Sequence, residues 1–172
     1  MSEPIRTELV DGVLHIVIAR PEKKNAITQA MYQAMADALR AADADPAVRA
    51  VLITGQPGIF TSGNDLEDFM QRPPQGMDSP VFRFMAALEA CEKPVVAAVT
   101  GAAVGIGTTL LLHCDLVYAG DNAAFSLPFV NLGLCPEAGS SLLLPQLAGY
   151  QRAAEKLLLG EAFYAEEALE MG

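Results

Sequence analysis

The chain has 172 residues, of which 52% are apolar, and this is enough to bury one hydrophobic core and predicts a single domain spanning 1–172. Its 21 acidic and 11 basic side chains give a formal net charge of −10, which argues against nucleic acid and against an anionic membrane surface as partners. The N-terminal sequence MSEPIRTEL lacks the apolar run of a signal peptide and no later stretch predicts a membrane span, so we expect a soluble, cytoplasmic protein.

The first half of the chain predicts a hairpin, a helix and a strand. Two runs of alternating apolar residues flank the Asp-Gly pair at 11–12 and indicate a β-hairpin with a tight turn. From Thr28 to about Ala42, apolar residues recur every three or four positions, which predicts an amphipathic helix with Thr28 as its cap. The segment AVRAVLITG predicts a buried strand that ends at Gly55, and the Pro- and Gly-rich segment 71–80 predicts a mobile loop.

The second half continues the alternation of helices and strands. A helix to about Cys91 precedes a second buried strand, PVVAAV, and the segment TGAAVGIGTT leads into a helix that ends near His113. Strands DLVYAG and AAFSL follow, and helices are predicted from Pro136 onward. This order predicts an α/β domain whose apolar strands are covered on both faces.

Cysteine and histidine do not predict a metal site. The three cysteines, Cys91, Cys114 and Cys135, form no CxxC pair, so we expect small buried side chains rather than zinc ligands or disulfides. His15 alternates within a strand and is expected at a rim. His113, near a helix end, is expected to interact with the last helical carbonyls.

Two loops that follow buried strands are candidates for ligand binding, GIFTSGNDLEDF and TGAAVGIGTT. Neither has the spacing GxGxxG or GxxxxGK, and no lysine occurs between Pro94 and Gln151, so nucleotide phosphate binding is not predicted. A small-residue turn that enters a helix presents backbone N–H groups, and two such turns facing each other would hold an oxyanion. Alternatively, the glycines only allow strand and helix to pack closely, and for GAAVGIG alone this interpretation is favoured.

Glu137 is the only charged residue between Asp121 and Arg152. One interpretation is structural, because Pro136 suits the first turn of a helix and an acidic residue just after it is favoured by the helix dipole. The other is proton transfer by a carboxylate in apolar surroundings, where its pKa is expected to be raised. The local sequence alone favours the structural interpretation.

Four segments in order, RPEKKNAI, FTSGNDL, KPVVAAVTGAAVGIGTTLLLHCDLVYAG and FSLPFVNLGLCPEAGSSLLLP, resemble the signatures of the crotonase, or enoyl-CoA hydratase/isomerase, superfamily. The resemblance implies a spiral of ββα units that binds an acyl-CoA thioester and stabilises its enolate, with coenzyme A as part of the substrate and no separate cofactor. Family members continue into a C-terminal helical region that supports trimers or hexamers. We therefore expect the chain, which stops at Gly172, to be a core lacking that region.

The resemblance also assigns site residues. The oxyanion donors correspond to the backbone N–H groups of Asn64 and Ile106. The residues that resemble the substrate-binding positions are Lys24, Ala26, Ser62, Gly63, Asn64, Asp65, Leu66, Gly105 and Ile106. Two alternatives remain open, because Lys23 and Lys24 also suit a solvated surface pair and Asp65 suits a cap or loop-fixing role.

Departures from the family pattern indicate the reaction. Hydratases of the superfamily carry catalytic glutamates where this chain has Thr109 and Phe129, and neither side chain can take a proton from water. The PEA turn instead resembles the Δ3,Δ2-enoyl-CoA isomerase branch, in which the catalytic acid corresponds to Glu137. The expected activity is the shift of a 3-enoyl-CoA double bond to the 2-trans position, with Glu137 moving a proton from C2 to C4. The alternatives are another crotonase-type reaction, such as hydration, or a non-catalytic acyl-CoA-binding subunit.

Overall fold

The computed structural model describes residues 3–172, beginning with the predicted hairpin of strands β1 (Ile5–Val10) and β2 (Val13–Ile18). Between them, Asp11 and Gly12 have φ values of 50° and 82°. Two consecutive positive φ angles are typical of the two-residue turn whose twist matches a hairpin. The predicted hairpin and its turn are therefore confirmed.

Helix α1 (Gln29–Ala44) is the predicted amphipathic helix. It begins after Thr28, whose side chain accepts a hydrogen bond from the Met31 N–H group, so the predicted cap is confirmed. It packs against α3 (Pro80–Glu89), and the Tyr32 ring centroid lies 5.6 Å from that of Phe84. The buried face of α1 consists of Met31, Tyr32, Met35, Ala36, Leu39 and Ala42.

The first sheet has five strands in the order β1-β2-β3-β5-β7, where β3 is Ala50–Thr54, β5 is Val95–Val99 and β7 is Leu116–Ala119. All pairs except the hairpin are parallel. Strands β3 and β5 were expected from their short apolar runs. Each places alternate side chains in the core, because successive residues of a strand point to opposite faces.

A second sheet contains the predicted strand AAFSL and further short strands, two of which lie in the segments interpreted as loops. Its order is β4-β6-β8-β9, with β4 at Ile59–Thr61, β6 at Ala102–Val104, β8 at Ala124–Ser126 and β9 at Phe163–Tyr164. The chain alternates between the sheets, passing from β3 to β4, from β5 to β6 and from β7 to β8. This alternation confirms the expected spiral of strand pairs.

Glycines make the sharp corners between the two sheets possible. A Cβ atom at Gly55 would lie 2.2 Å from the carbonyl oxygen of Ile59, and one at Gly101 would lie 1.9 Å from the carbonyl oxygen of Gly58. Both contacts are with backbone atoms, which cannot move aside as a flexible side chain can. The backbone after β3 therefore lies directly against β4, and the corner between β5 and β6 lies directly against the residues at the start of β4.

The helices differ from the sequence expectation in three places. The predicted helix to His113 is one α-helical turn, α4 (Ile106–Thr109), followed by a 3-10 helix at Leu110–His113. Helix α2 (Leu66–Gln71) lies within a segment interpreted as a loop. The later helices are α5 (Ser140–Ala148), α6 (Tyr150–Leu159) and α7 (Ala165–Glu170), so the first of them begins at 140 and not at 136. None of the helices in 3–172 is long and apolar enough to cross a membrane.

Strand β7 contradicts the expectation that the apolar strands are covered on both faces. It is an edge strand with β5 as its one neighbour, and Leu116 and Tyr118 are 54% and 64% exposed. A largely apolar groove of about 890 Å³ lies between β7 and α7. Cys135 is also exposed, contrary to the prediction of three buried cysteines, while Cys91 and Cys114 are half-buried, and all three are free thiols.

Candidate active site

The two candidate loops meet because β4 and β6 are parallel neighbours in the second sheet. One loop follows β4 at 62–65, and the other contains Gly105 directly after β6. A Cβ atom at Gly63 would lie 2.8 Å from the Val104 carbonyl oxygen, and one at Gly107 would lie 2.5 Å from Thr61 Cγ2. The glycines therefore do allow close packing, and that packing brings the two loops side by side.

The backbone N–H groups of Asn64 and Ile106 are available as donors. Ile106 is the first residue of α4, so its N–H group has no intrahelical acceptor. Asn64 forms a bridge with Ile27, in which the Ile27 N–H donates to Gly63 and the Asp65 N–H donates to Ile27. The Asn64 N–H takes no part in that bridge, and across 3–172 neither donor has a protein acceptor. Their assignment to an oxyanion remains a prediction.

Glu137 lies in a turn before α5 and does not cap that helix. Gly139, with φ of 66°, is the residue at the start of α5, and the Ser140 N–H donates to the Glu137 carbonyl at 2.9 Å. The interpretation that placed Pro136 in the first helical turn is therefore wrong. The Glu137 carboxylate instead accepts a hydrogen bond of 3.2 Å from the hydroxyl of Thr109, which is fully buried in α4.

The surroundings of Glu137 favour its protonated form. Burial raises the pKa of the carboxyl above its ordinary value, and the hydrogen bond from Thr109 opposes this in part. Among residues 3–172, no ion pair includes Glu137. The raised pKa expected from the lone carboxylate in the sequence is confirmed, and desolvation is its main cause.

Tyr32 interacts with both the Asn64 loop and Glu137, and the sequence did not predict this role. Its side chain is 2% exposed, and its hydroxyl donates to Asn64 Oδ1. Burial and then the nearby charge of Glu137 raise the pKa of Tyr32 well above its ordinary value. Tyr32 shares a helix face with Ala36 and Leu39, so the burial of its ring was predictable from spacing, but the partner of its hydroxyl was not.

The structure brings the predicted coenzyme A segments together. The Ser62 N–H donates to the carbonyl of Lys24 at 3.1 Å, which places segment 24–26 beside the loop after β4. Lys24, like Lys23, is exposed, Ala26 is half-buried, and Leu66 is 60% exposed at the start of α2. These contacts bring the segments together, while their contact with coenzyme A stays a prediction.

Asp65 has the loop-fixing role that the sequence offered as an alternative. Its carboxylate accepts a hydrogen bond from the Asp68 N–H at the start of α2 and forms an ion pair of 2.6 Å with Arg20. The hydrogen bond from Arg20 is the main cause that lowers the pKa of Asp65. Because both interactions engage the carboxylate, we assign Asp65 to holding the loop that carries the Asn64 donor.

Asn25 holds strand β4, which leads into the Asn64 loop, and it was not predicted from the sequence as a site residue. It is fully buried with φ of 55°, and its side-chain amide donates to the carbonyls of Ile59 and Phe60 at 3.2 and 3.0 Å. Thr61 returns a hydrogen bond of 2.7 Å to the Asn25 carbonyl. Segment 20–27 is therefore attached to β4, which leads into the donor loop.

The alternation of strand pairs between two sheets is the architecture of the crotonase class. Residues 8–172 match the family described as enoyl-CoA hydratase/isomerase, and the chain belongs to that family.

Relatives support this membership over most of the chain. Enoyl-CoA delta isomerase 2 of Homo sapiens is 40% identical over 169 residues, and the match covers 94% of this chain and 43% of that protein. The 1,2-epoxyphenylacetyl-CoA isomerase of Escherichia coli K12 is 37% identical over 182 residues, covering 100% of this chain and 68% of that protein. The structure of Pseudomonas aeruginosa OdaA superposes with a TM-score of 0.96 at 59% identity, covering 99% of this chain and 69% of that one. The chain thus spans less than half the length of the human relative.

Proposed function

We propose that this chain carries the catalytic core of an enoyl-CoA isomerase, which shifts the double bond of a 3-enoyl-CoA to the 2-trans position. The observation that supports this most is the placement of one half-buried carboxylate, Glu137, against Thr109 in the helix whose first N–H group is a proposed oxyanion donor. By the sequence resemblance, Thr109 and Phe129 occupy the two positions at which hydratases of the family carry catalytic glutamates. The site therefore offers one group for proton transfer and two backbone donors.

The reaction begins with the thioester oxygen between the N–H groups of Asn64 and Ile106. These donors stabilise the negative charge that develops on the oxygen when Glu137 removes a proton from C2. The dienolate then takes the proton back from Glu137 at C4, which leaves the double bond between C2 and C3. Preorganised donors of this kind contribute about 3 to 4 kcal/mol each in other enzymes, so the pair supplies a large part of the required stabilisation. The raised pKa of Glu137 suits a group that must both accept and return a proton.

Hydration needs a different set of groups. Adding water to a 2-enoyl-CoA requires one group to activate the water and another to protonate the carbon. The hydroxyl of Thr109 is already donated to Glu137, and Phe129 has no ionisable group. We therefore expect hydration to be slow relative to isomerisation.

Replacing Glu137 by glutamine tests the proposal, because it keeps the size of the side chain but removes the base. We expect kcat for a 3-enoyl-CoA to fall about 100- to 10,000-fold, with little change in the affinity for the CoA ester. Absorbance of the conjugated enoyl thioester measures turnover. Glu161→Gln is the matched control, because it makes the same chemical change at an exposed position.

Three results would contradict the proposal in different ways. Full activity of Glu137→Gln would remove Glu137 from the mechanism. Binding of the CoA ester by the parent protein without any double-bond shift would favour a non-catalytic acyl-CoA-binding subunit. Rapid hydration of a 2-enoyl-CoA would favour a hydratase-type reaction.

A further inference from the structure

One helical segment contacts both parts of the proposed catalytic machinery. It consists of α4 and the 3-10 helix that follows, and it runs without a break from Ile106 to His113. Its first residue presents the Ile106 N–H, the hydroxyl of Thr109 donates to the Glu137 carboxylate, and His113 Nε2 lies 2.8 Å from the Ala138 carbonyl oxygen. The second and third contacts both reach the turn that holds Glu137, one from α4 and one from the end of the 3-10 helix.

The contact of His113 differs from the sequence expectation. Its ring was expected to interact with carbonyls of its own helix, but it reaches the turn that holds Glu137, 25 residues further along the chain. A carbonyl oxygen only accepts hydrogen bonds, so Nε2 must carry the hydrogen and donate it to Ala138. Within the described part of the chain, Thr109 and His113 are the side chains that hydrogen-bond to turn 135–139 from another element.

The turn requires such support, because Ala138 has an unfavourable backbone conformation. Its φ is 49°, in the left-handed region that residues with a Cβ atom seldom occupy. Conformations of this kind persist only where the surrounding structure holds them. The residue that accepts the hydrogen bond from His113 is therefore the strained residue next to Glu137.

We propose that His113 is a positioning residue for Glu137. By holding the Ala138 carbonyl, it keeps the Glu137 carboxylate beside Thr109 and at a fixed distance from the Ile106 donor, since Ile106 and His113 belong to one continuous segment. This inference rests on the proposed role of Glu137 as the base. A displacement of about 1 Å in a catalytic group can lower the rate about 100-fold, so loss of this contact should reduce turnover without removing any reacting group.

The test compares His113→Gln with His113→Met. The amide nitrogen of glutamine can donate to Ala138 from nearly the position of Nε2, whereas methionine keeps apolar bulk and has no donor. We expect His113→Met to lower kcat about 10- to 100-fold with KM nearly unchanged, and His113→Gln to retain most of the activity. Thermal unfolding of both variants checks that they fold. If His113→Met does not fold, His113→Asn takes its place as the variant that lacks the contact, because the shorter asparagine amide cannot reach the Ala138 carbonyl.

A second readout does not depend on turnover. Carbon-13 NMR of labelled glutamate side chains follows the ionisation of Glu137 in the parent protein and both variants. Loosening the turn should admit water and move the pKa of Glu137 toward its ordinary value in His113→Met but not in His113→Gln, because burial is the main cause of the raised value. Tyr32 is the other titratable group that interacts with the charge of Glu137. It stays protonated while Glu137 titrates, because its pKa is raised well above 10.0.

The two readouts separate this proposal from the proposed function. If Glu137→Gln were fully active, the isomerase mechanism would fail, yet the NMR titration would still show whether His113 holds Glu137. The positioning role is overturned if His113→Met keeps both the kcat and the Glu137 ionisation of the parent protein. It is equally overturned if both variants lose activity to the same extent while Glu137 titrates as before.

Discussion

Replacing Ile106 by proline deletes the one N–H group that we assign to the oxyanion site at α4. Ile106 is the first residue of that helix, where proline is well accommodated because its missing N–H has no helical acceptor. The preceding residue, Gly105, has φ of 56° and ψ of −117°, outside the α region that is disfavoured before proline. The substitution therefore removes the proposed donor and leaves the hydrogen bonds of the helix intact.

The expected magnitude has two parts. Loss of one preorganised donor costs about 3 to 4 kcal/mol of transition-state stabilisation, or about 100- to 1,000-fold in rate. The side chain is 2% exposed, so shortening it also lowers the free energy of unfolding. Valine has as many side-chain carbons as proline, and an Ile→Val change in a core costs about 0.5 to 1.5 kcal/mol of stability. Ile106→Val is therefore the matched control, because it loses similar volume and keeps the N–H group.

The assay measures kcat/KM for a 3-enoyl-CoA in the parent protein and both variants, with thermal unfolding to verify folding. Ile106→Val should stay within a few-fold of the parent, and Ile106→Pro should fall about 100- to 1,000-fold below Ile106→Val. Equal losses in the two variants would refute the assignment of Ile106 as a donor. Retention of activity in a folded Ile106→Pro protein would refute it as well.

Three further predictions concern Glu137. Thr109→Val removes the hydroxyl that lowers the pKa of Glu137, so the rising limb of the pH profile of kcat/KM should move to higher pH. Thr109→Ser keeps the hydroxyl and should keep the parent profile. A shift of the Thr109→Val profile to lower pH would contradict this. Substrate deuterated at C2 should deliver measurable deuterium to C4, because one shielded carboxyl carries the proton, and complete solvent labelling at C4, seen by mass spectrometry or NMR, would argue against it. Because the folded-state pKa of Glu137 is raised, stability falls as pH rises from the ordinary value of 4.5 through the raised value. The melting-temperature advantage of Glu137→Gln should therefore grow over that window, and a constant difference would disprove it.

The elements predicted well from the sequence are those whose signal is local. The Asp-Gly turn, the Thr28 cap of α1 and the apolar runs of β3 and β5 each depend on residues a few positions apart. Strands β4 and β6 have three residues each and lie between nearby glycines, so they show no alternation long enough to detect. Their pairing joins residues more than 40 positions apart, for example Ile59 with Ala102.

In the candidate site too, the features with a local sequence signal were predicted and those that depend on distant residues were not. The two donor loops were visible as small-residue segments, but residue patterns alone favoured close packing for GAAVGIG, and the donor roles came from the family resemblance. The partners of Tyr32, Arg20 and His113 lie 32, 45 and 25 residues away, and no local pattern indicates them. Helix α5 was placed too early because Pro136 resembles a helix start, whereas Gly139 in the left-handed region delays it to Ser140.

The position of Thr109 connects the missing glutamate with the proposed reaction. In the hydratases that the sequence resembles, this place in the helix carries an acid, but here it carries a hydroxyl that donates to an acid from another element. The turn before α5 thus delivers the carboxylate that α4 lacks, and the two residues cannot both be proton carriers because Thr109 does not ionise in the relevant range. One shielded carboxyl can move a proton between two carbons of the same substrate, but it cannot also activate a water molecule at the same time. A hydroxyl in place of an acid at Thr109 therefore favours isomerisation over hydration. If this reasoning is correct, Thr109→Glu should lower the rate of isomerisation relative to the rate of hydration.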